Sequence, residues 1–263
     1  VCIAGRANDP GFSLISSMID TIPGMLTPVE HLSFIKRRKT KAIQLGGLSI
    51  GGDAPVIVQS MTSTDTRDVR ATVRQIKALE KAGCELIRVA VPDREAAEAI
   101  PAILKKINLP LIADIHFDYR LALDAIRHGA AGIRINPGNI PRDKIGVIIR
   151  AAKERKTVIR IGVNSGSLQK DLLKKYGGAS AEALAESALQ TVRYFEDQNF
   201  DLIKLSLKSS DVPAMIEAYR AVSARTDYPL HLGVTEAGSL VNAAVKSAAG
   251  IGTLLYEGIG DTI

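Results

Sequence analysis

The stretch "GIRINPGNI", residues 132–140, sets a guanidinium, Arg134, in the middle of a short apolar run that reads as a buried strand. The same arrangement returns in "LIRVAV" with Arg88, "VIRIGVN" with Arg160 and "LIKLSLK" with Lys204. Side chains alternate across a strand. With these four cations on one face, the other face is Ile87, Val89 and Val91; Ile133 and Ile135; Ile159, Ile161 and Val163; and Ile203, Leu205 and Leu207. Strands aliphatic on one side and polar on the other suit a barrel whose outside is covered by helices. The cationic phase continues with Asn136, Asn164, Ser206 and Lys208, and other strands add Gln59, Asp114, His116 and His231.

Outward from these runs, strand and helix patterns alternate. "VIVQSM" from residue 56, "LIADIH" from 111 and "LHLGVT" from 230 complete seven strand-like runs, each followed by ten or more residues with apolar positions at helical spacing. Repeated βα units imply a parallel sheet, and seven with an eighth strand opening near Asp261 predict an α/β fold, a (β/α)8 TIM-type barrel whose eighth strand is truncated at the C-terminus. Ahead of them "AIQLGGLSIGG" predicts a hairpin turned on Gly46-Gly47, placed to plug the barrel's lower end. Residues 1–30 read as a tail or non-native extension, and 31–263 as the barrel domain.

The totals agree with one large soluble domain: 263 residues, 46% hydrophobic, formal charge +6. Aromatics are 4% with no Trp, and the densest basic run is "KRRK" at 36–39, so neither a base-stacking platform nor a nucleic-acid tract is expected. No apolar run reaches the ~20 residues of a membrane span. Cys2 and Cys84 stand far apart, which excludes an internal cysteine metal site and fits a reducing, cytoplasmic setting.

Charge carries the functional argument. Asp114 and Glu236 are too few to neutralise Arg88, Arg134, Arg160, Lys204 and Lys208, and unit charges about 8 Å apart repel by roughly 2 kcal/mol at an effective dielectric near 20. Arginine's planar fork suits phosphate, so an anionic, phosphorylated ligand is expected at the C-terminal face, where barrel enzymes carry their sites. Glu236 in "VTEAG" follows the seventh strand, a position for a catalytic carboxylate or for a helix cap. His116 is placed to touch ligand or to serve structure, Cys84 reads as a packing residue, and His31 and His128 as solvated. Lys204 or Lys208 as the amine of a Schiff-base aldolase, and a non-catalytic phosphate-binding barrel, stay open.

From about Arg38 to Ile263, "VQSMTSTDTRDV", "LIADIHFDYRLAL", "RINPGNI", "RIGVNSGSL", "DLIKLSLKSSDV", "LHLGVTEAG" and "EGIGDT" closely resemble 4-hydroxy-3-methylbut-2-enyl diphosphate synthases. The resemblance implies an iron-sulfur oxidoreductase of non-mevalonate isoprenoid biosynthesis. Its reaction is reductive ring opening and dehydration of methylerythritol cyclodiphosphate. It further implies a diphosphate cradle of Arg88, Arg134, Arg160 and Lys204 with Asn136, Asn164 and His116 beside it, and Glu236 moving a proton at the substrate hydroxyl. A 4Fe-4S cluster held by a C-terminal domain outside this chain, a homodimer when full-length, and a ferredoxin- or flavodoxin-type electron donor belong to the same implication.

Overall fold

The computed structural model describes residues 35–263, so the expectations for residues 1–30, Cys2 and His31 lie outside the described residues. A hairpin, β1 (Ile43–Leu45) and β2 (Leu48–Ile50), comes first, turned on Gly46 and Gly47, both at positive φ as a tight two-residue turn requires. Six parallel strands follow, in chain order around the sheet: β3 (Gln59–Met61), β4 (Leu86–Ala90), β5 (Leu111–Ile115), β6 (Gly132–Ile135), β7 (Val158–Asn164) and β8 (Ile203–Lys208). Parallel bridges close the ring: Leu205 to Leu230, His231 to Thr262, and Thr262 to Ile57. The eighth strand, expected as truncated, thus reaches both of its neighbours through Thr262.

The seventh strand is shorter than "LHLGVT" predicted, because a side chain interrupts its ladder. The Tyr219 hydroxyl, fully buried, accepts from the Leu207 backbone N–H at 3.0 Å and donates to the His231 carbonyl at 2.5 Å. It stands where a strand-to-strand hydrogen bond would otherwise form.

Helices α1 (Val69–Lys81), α2 (Arg94–Leu104), α3 (Tyr119–Arg127), α4 (Arg142–Arg155), α5 (Lys170–Tyr176), α6 (Ala181–Asp197), α7 (Val212–Ser223) and α8 (Leu240–Tyr256) surround the strands. Five begin at a side chain that accepts a first-turn backbone N–H: Asp68, Asp93, Asp118, Ser180 and Asp211. Such a cap satisfies a donor the helix leaves open, and is worth about 1 kcal/mol. Short α5 in "QKDLLKKYGG" has no capping side chain and went unread in the sequence.

The strands' aliphatic phase packs against the helices in one large core, with Ile87, Val89, Ile133, Ile135, Ile159, Ile161, Ile203, Leu205 and Leu207 all fully buried. Cys84 lies in this core as the packing residue expected. A second, separate cluster fills the lower end of the barrel, where Ile43, Leu45 and Ile50 of the hairpin meet Ile57, Leu86, Ile112 and Val158. Gly132 lets them close up, since a Cβ there would stand 3.3 Å from Leu45 Cδ1.

Residues 36–41 strap this end. Buried Asp261 accepts from Arg37 Nη2 (3.2 Å) and Thr40 Oγ1 (3.0 Å) with one oxygen, and from the Leu230 backbone N–H (2.8 Å) with the other. Arg38 donates to the carbonyls of Thr226 (2.5 Å) and Tyr228 (2.7 Å).

Candidate active site

At the opposite, C-terminal end the barrel opens into a cavity of about 580 Å³ lined by Met61, Arg88, Asp114, His116, Arg134, Arg160, Asn164, Ser206, Lys208 and the 234–238 loop with Glu236. Strand register explains the assembly. Asp114, Arg134, Arg160 and Lys204 pair side by side across β5 to β8, so one row carries a carboxylate and three cations. Arg88 is not at the same place, as the pattern of the sequence implied: it pairs with Ile112, in the neighbouring row, and reaches the site along its length.

Asp114 is the centre. Its carboxylate, 2% exposed, lies 3.4 Å from Arg88 Nη1, 3.2 Å from Arg134 Nη1 and 3.5 Å from His116 Nε2. Burial alone would raise its pKa, yet the His116 contact and the fields of Arg88, Arg134 and Arg160 outweigh burial and hold it well below the usual carboxylate range. Asn164, its amide turned so that the nitrogen donates to the Val163 carbonyl, accepts from Arg134 Nη2 at 3.1 Å.

The remaining cations have less. Arg160 is 1% exposed, and its Nε and Nη1 are buried without a hydrogen-bond partner, as is Arg134 Nε. Burial, followed by the neighbouring arginines, pushes the pKa values of Arg160, Lys204 and Lys208 well down. His231 is likewise held well below its ordinary value, by burial and then by Arg160 and the two lysines, which keeps it neutral. Its Nδ1 lies 2.9 Å from Thr262 Oγ1. Buried donors of one sign around an open volume have the chemistry that suits a multiply charged anion.

Of the residues singled out in the sequence, Arg88, His116, Arg134, Arg160, Asn164 and Glu236 meet at this cavity. Lys204 lies fully buried beside Gln59, its Nζ 3.4 Å from Gln59 Oε1, and does not line it. Asn136 also stands apart: β6 ends at Ile135, and in the following loop Asn136 donates to Ser167 Oγ (2.6 Å) and accepts from the Gly138 backbone N–H (3.0 Å). Asp114 and Lys208, inward charges in the sequence to which the resemblance gives no role, line the cavity as well. Glu236 is exposed at the rim with φ of 51°. Lys156 and Asn199 share that left-handed backbone, but at helix ends where it terminates the helix; Glu236 adopts it in a loop over the cavity, where such strain is found at functional positions.

The sequence pattern of the GcpE TIM-barrel domain matches residues 40–263. The chain belongs to this family. Among curated GcpE-type relatives, the 4-hydroxy-3-methylbut-2-en-1-yl diphosphate synthase (flavodoxin) of Caldanaerobacter subterraneus subsp. tengcongensis is 60% identical over 231 residues, covering 87% of this chain and 65% of that protein. The synthase of the same name from Thermodesulfovibrio yellowstonii is 58% identical over 230 residues, covering 87% and 66%. The chain therefore spans just under two thirds of the length of these relatives. Solved structures with the same fold include dihydropteroate synthase of Stenotrophomonas maltophilia (TM-score 0.61, 14% identity, 85% of this chain and 91% of that one) and 3-dehydroquinate dehydratase of Enterococcus faecalis (TM-score 0.59, 12%, 84% and 92%). At these identities they bear on architecture alone, and support the TIM-type barrel of the GcpE domain.

The GcpE barrel described here offers no ligand set for an iron-sulfur cluster. Among the described residues no three His, Cys, Asp or Glu side chains group to hold a metal, and Cys84 is buried with its thiol donating to the Leu86 carbonyl at 3.2 Å. No helix among the described residues is long and apolar enough to cross a membrane.

Proposed function

We propose that this chain is the substrate-binding barrel of a 4-hydroxy-3-methylbut-2-enyl diphosphate synthase, acting on methylerythritol cyclodiphosphate by reductive ring opening and loss of water. The observation that carries the reading is the buried set of cations around one carboxylate at the barrel mouth, together with the name shared by relatives of 58–60% identity. Arg88, Arg134 and Arg160 bind the diphosphate, Asn164 and His116 fix its orientation, and Lys204 supports the cradle from beneath, while Asn136 holds the loop after β6 to Ser167. Neutralising the diphosphate in a partly dry site strengthens each contact.

Reductive C–O cleavage needs an electron source that side chains lack. In this reading a 4Fe-4S cluster supplies it from outside the described residues, consistent with the greater length of the relatives, and no residue described here ligates it. The work of this chain is to bind, orient and move a proton: Glu236, at the rim on a strained backbone, protonates the departing hydroxyl. A flavodoxin- or ferredoxin-type donor, a homodimer and a cytoplasmic location belong to the same proposal, the donor supported by the word flavodoxin in the relatives' names. Family membership does not favour the Schiff-base aldolase or the non-catalytic barrel.

Calorimetric titration of the protein with the cyclic diphosphate tests the binding role. Arg160→Met is expected to weaken affinity by about 10- to 150-fold, the range of hydrogen bonds to charged groups, while thermal stability changes little because a like-charge repulsion is relieved. Unchanged affinity in this variant removes the cradle.

A further inference from the structure

The inner wall at the barrel mouth carries a glycine at two places where the strand pattern calls for a side chain: Gly162, between inward Arg160 and Asn164, and Gly233, two residues past His231. Glycine inside a strand weakens it unless another group must come close to the backbone. Neither glycine is in the left-handed region, so conformation does not demand it, and the reason is space. At Gly162 a Cβ would stand 2.4 Å from Arg134 Nε, 3.0 Å from Nη2 and 3.1 Å from Cζ. All three atoms belong to the guanidinium of one residue. Arg134 cannot swing aside freely, because it is 5% exposed and tied to Asp114 through Nη1 and to Asn164 through Nη2. At Gly233 the obstacle is Lys208, with Nζ at 2.8 Å and Cε at 2.9 Å, the free end of a flexible chain that can shift.

We propose that Gly162 is a positioning residue for the anion site: by carrying no side chain it lets the Arg134 fork lie against β7, and so sets which Arg134 nitrogens face the cavity. The proposal rests on the phosphate-binding reading above. It explains why a strand otherwise rich in branched residues gives up a side chain at this one inward position.

A double-mutant cycle in the full-length protein, read by calorimetry with inorganic pyrophosphate, tests it. Gly162→Ala is expected to weaken pyrophosphate binding by about 10- to 100-fold, since it displaces a charged hydrogen-bonding group. In an Arg134→Ala background, where no atom occupies the Nε position, adding Gly162→Ala is expected to change affinity by less than about 2-fold, because the effect travels through Arg134. Equal losses in both backgrounds overturn the proposal and make the glycine structural. If Gly162→Ala alone does not fold, a folded Gly162→Ala/Arg134→Ala double variant supports it and an unfolded one overturns it. Wild type and Arg134→Ala binding pyrophosphate equally poorly would remove the phosphate-site reading itself, and the proposal with it.

Discussion

The two ends of this barrel are built from the same strands, two residues apart, and are physically opposite. At the lower end the inward residues are Leu86, Ile112, Gly132 and Val158, sealed by Leu45 and Ile50 of the hairpin. One inward step further along the same strands stand Arg88, Asp114, Arg134 and Arg160, around an open volume of about 580 Å³. The lower end gains stability by excluding water, at about 25 cal/mol per Å² of apolar surface. The upper end holds guanidinium nitrogens of Arg134 and Arg160 buried without a hydrogen-bond partner, an unfavourable arrangement that the proposed diphosphate would relieve. In that reading stability and recognition are divided along each strand.

That division can be attacked from both ends. The largest effect is expected at the rim. Glu236→Gln in the full-length protein, assayed with the cyclic diphosphate and reduced flavodoxin, should lower turnover by about 100- to 10,000-fold, the contribution of a general acid–base group, while substrate affinity and melting temperature stay near wild type. Near-normal turnover takes Glu236 out of the chemistry; a loss of stability first makes it a structural residue.

Next comes the lower end, where Leu45→Ala should destabilise the fold by about 2–5 kcal/mol in urea titration, as large-to-small changes in a packed core do, with diphosphate affinity unchanged in the folded fraction. A matching loss of affinity would mean the two ends are not separable.

The smallest effect sharpens the comparison. Burial and the neighbouring arginines lower the pKa of Lys208 in the free site, and a bound polyanion offsets those arginine fields. The pKa then rises, so binding should take up protons wherever the free-site lysine is partly deprotonated. Calorimetry in buffers of different ionisation enthalpy reads this as a fraction of a proton per ligand, and release of protons would contradict the sign. His231 adds a linked effect on folding. Its pKa is lowered in the fold, so its contribution is fully present above the unfolded value near 6.5 and declines as pH falls below that.

Strand alternation made the barrel and most of the site legible, because period two assigns each residue a face without knowledge of its neighbours. Depth was not legible. Lys204 shares the phase and the row of Arg160, yet lies beside Gln59 off the cavity, since stagger between strands decides which inward residues reach the mouth. Asn136 continues the phase of Arg134, but the strand stops at Ile135 and the turn re-aims it at Ser167. The short seventh strand could not be foreseen either, because the Tyr219 hydroxyl that interrupts it comes from the preceding helix, twelve residues from both the backbone groups it joins. Gly162 did leave a signal, a missing side chain in an inward position, with no way of telling which group fills the gap.

Asp261 has a consequence for how the molecule comes apart. One carboxylate holds Arg37 and Thr40, ahead of the hairpin, and the backbone of Leu230 in the seventh strand, while its own residue sits in the closing strand. Removing the strap and opening the ring therefore break the same hydrogen bonds. The early and late parts of the described chain are expected to open as one cooperative unit, read as amide protons that exchange together rather than fraying from either side.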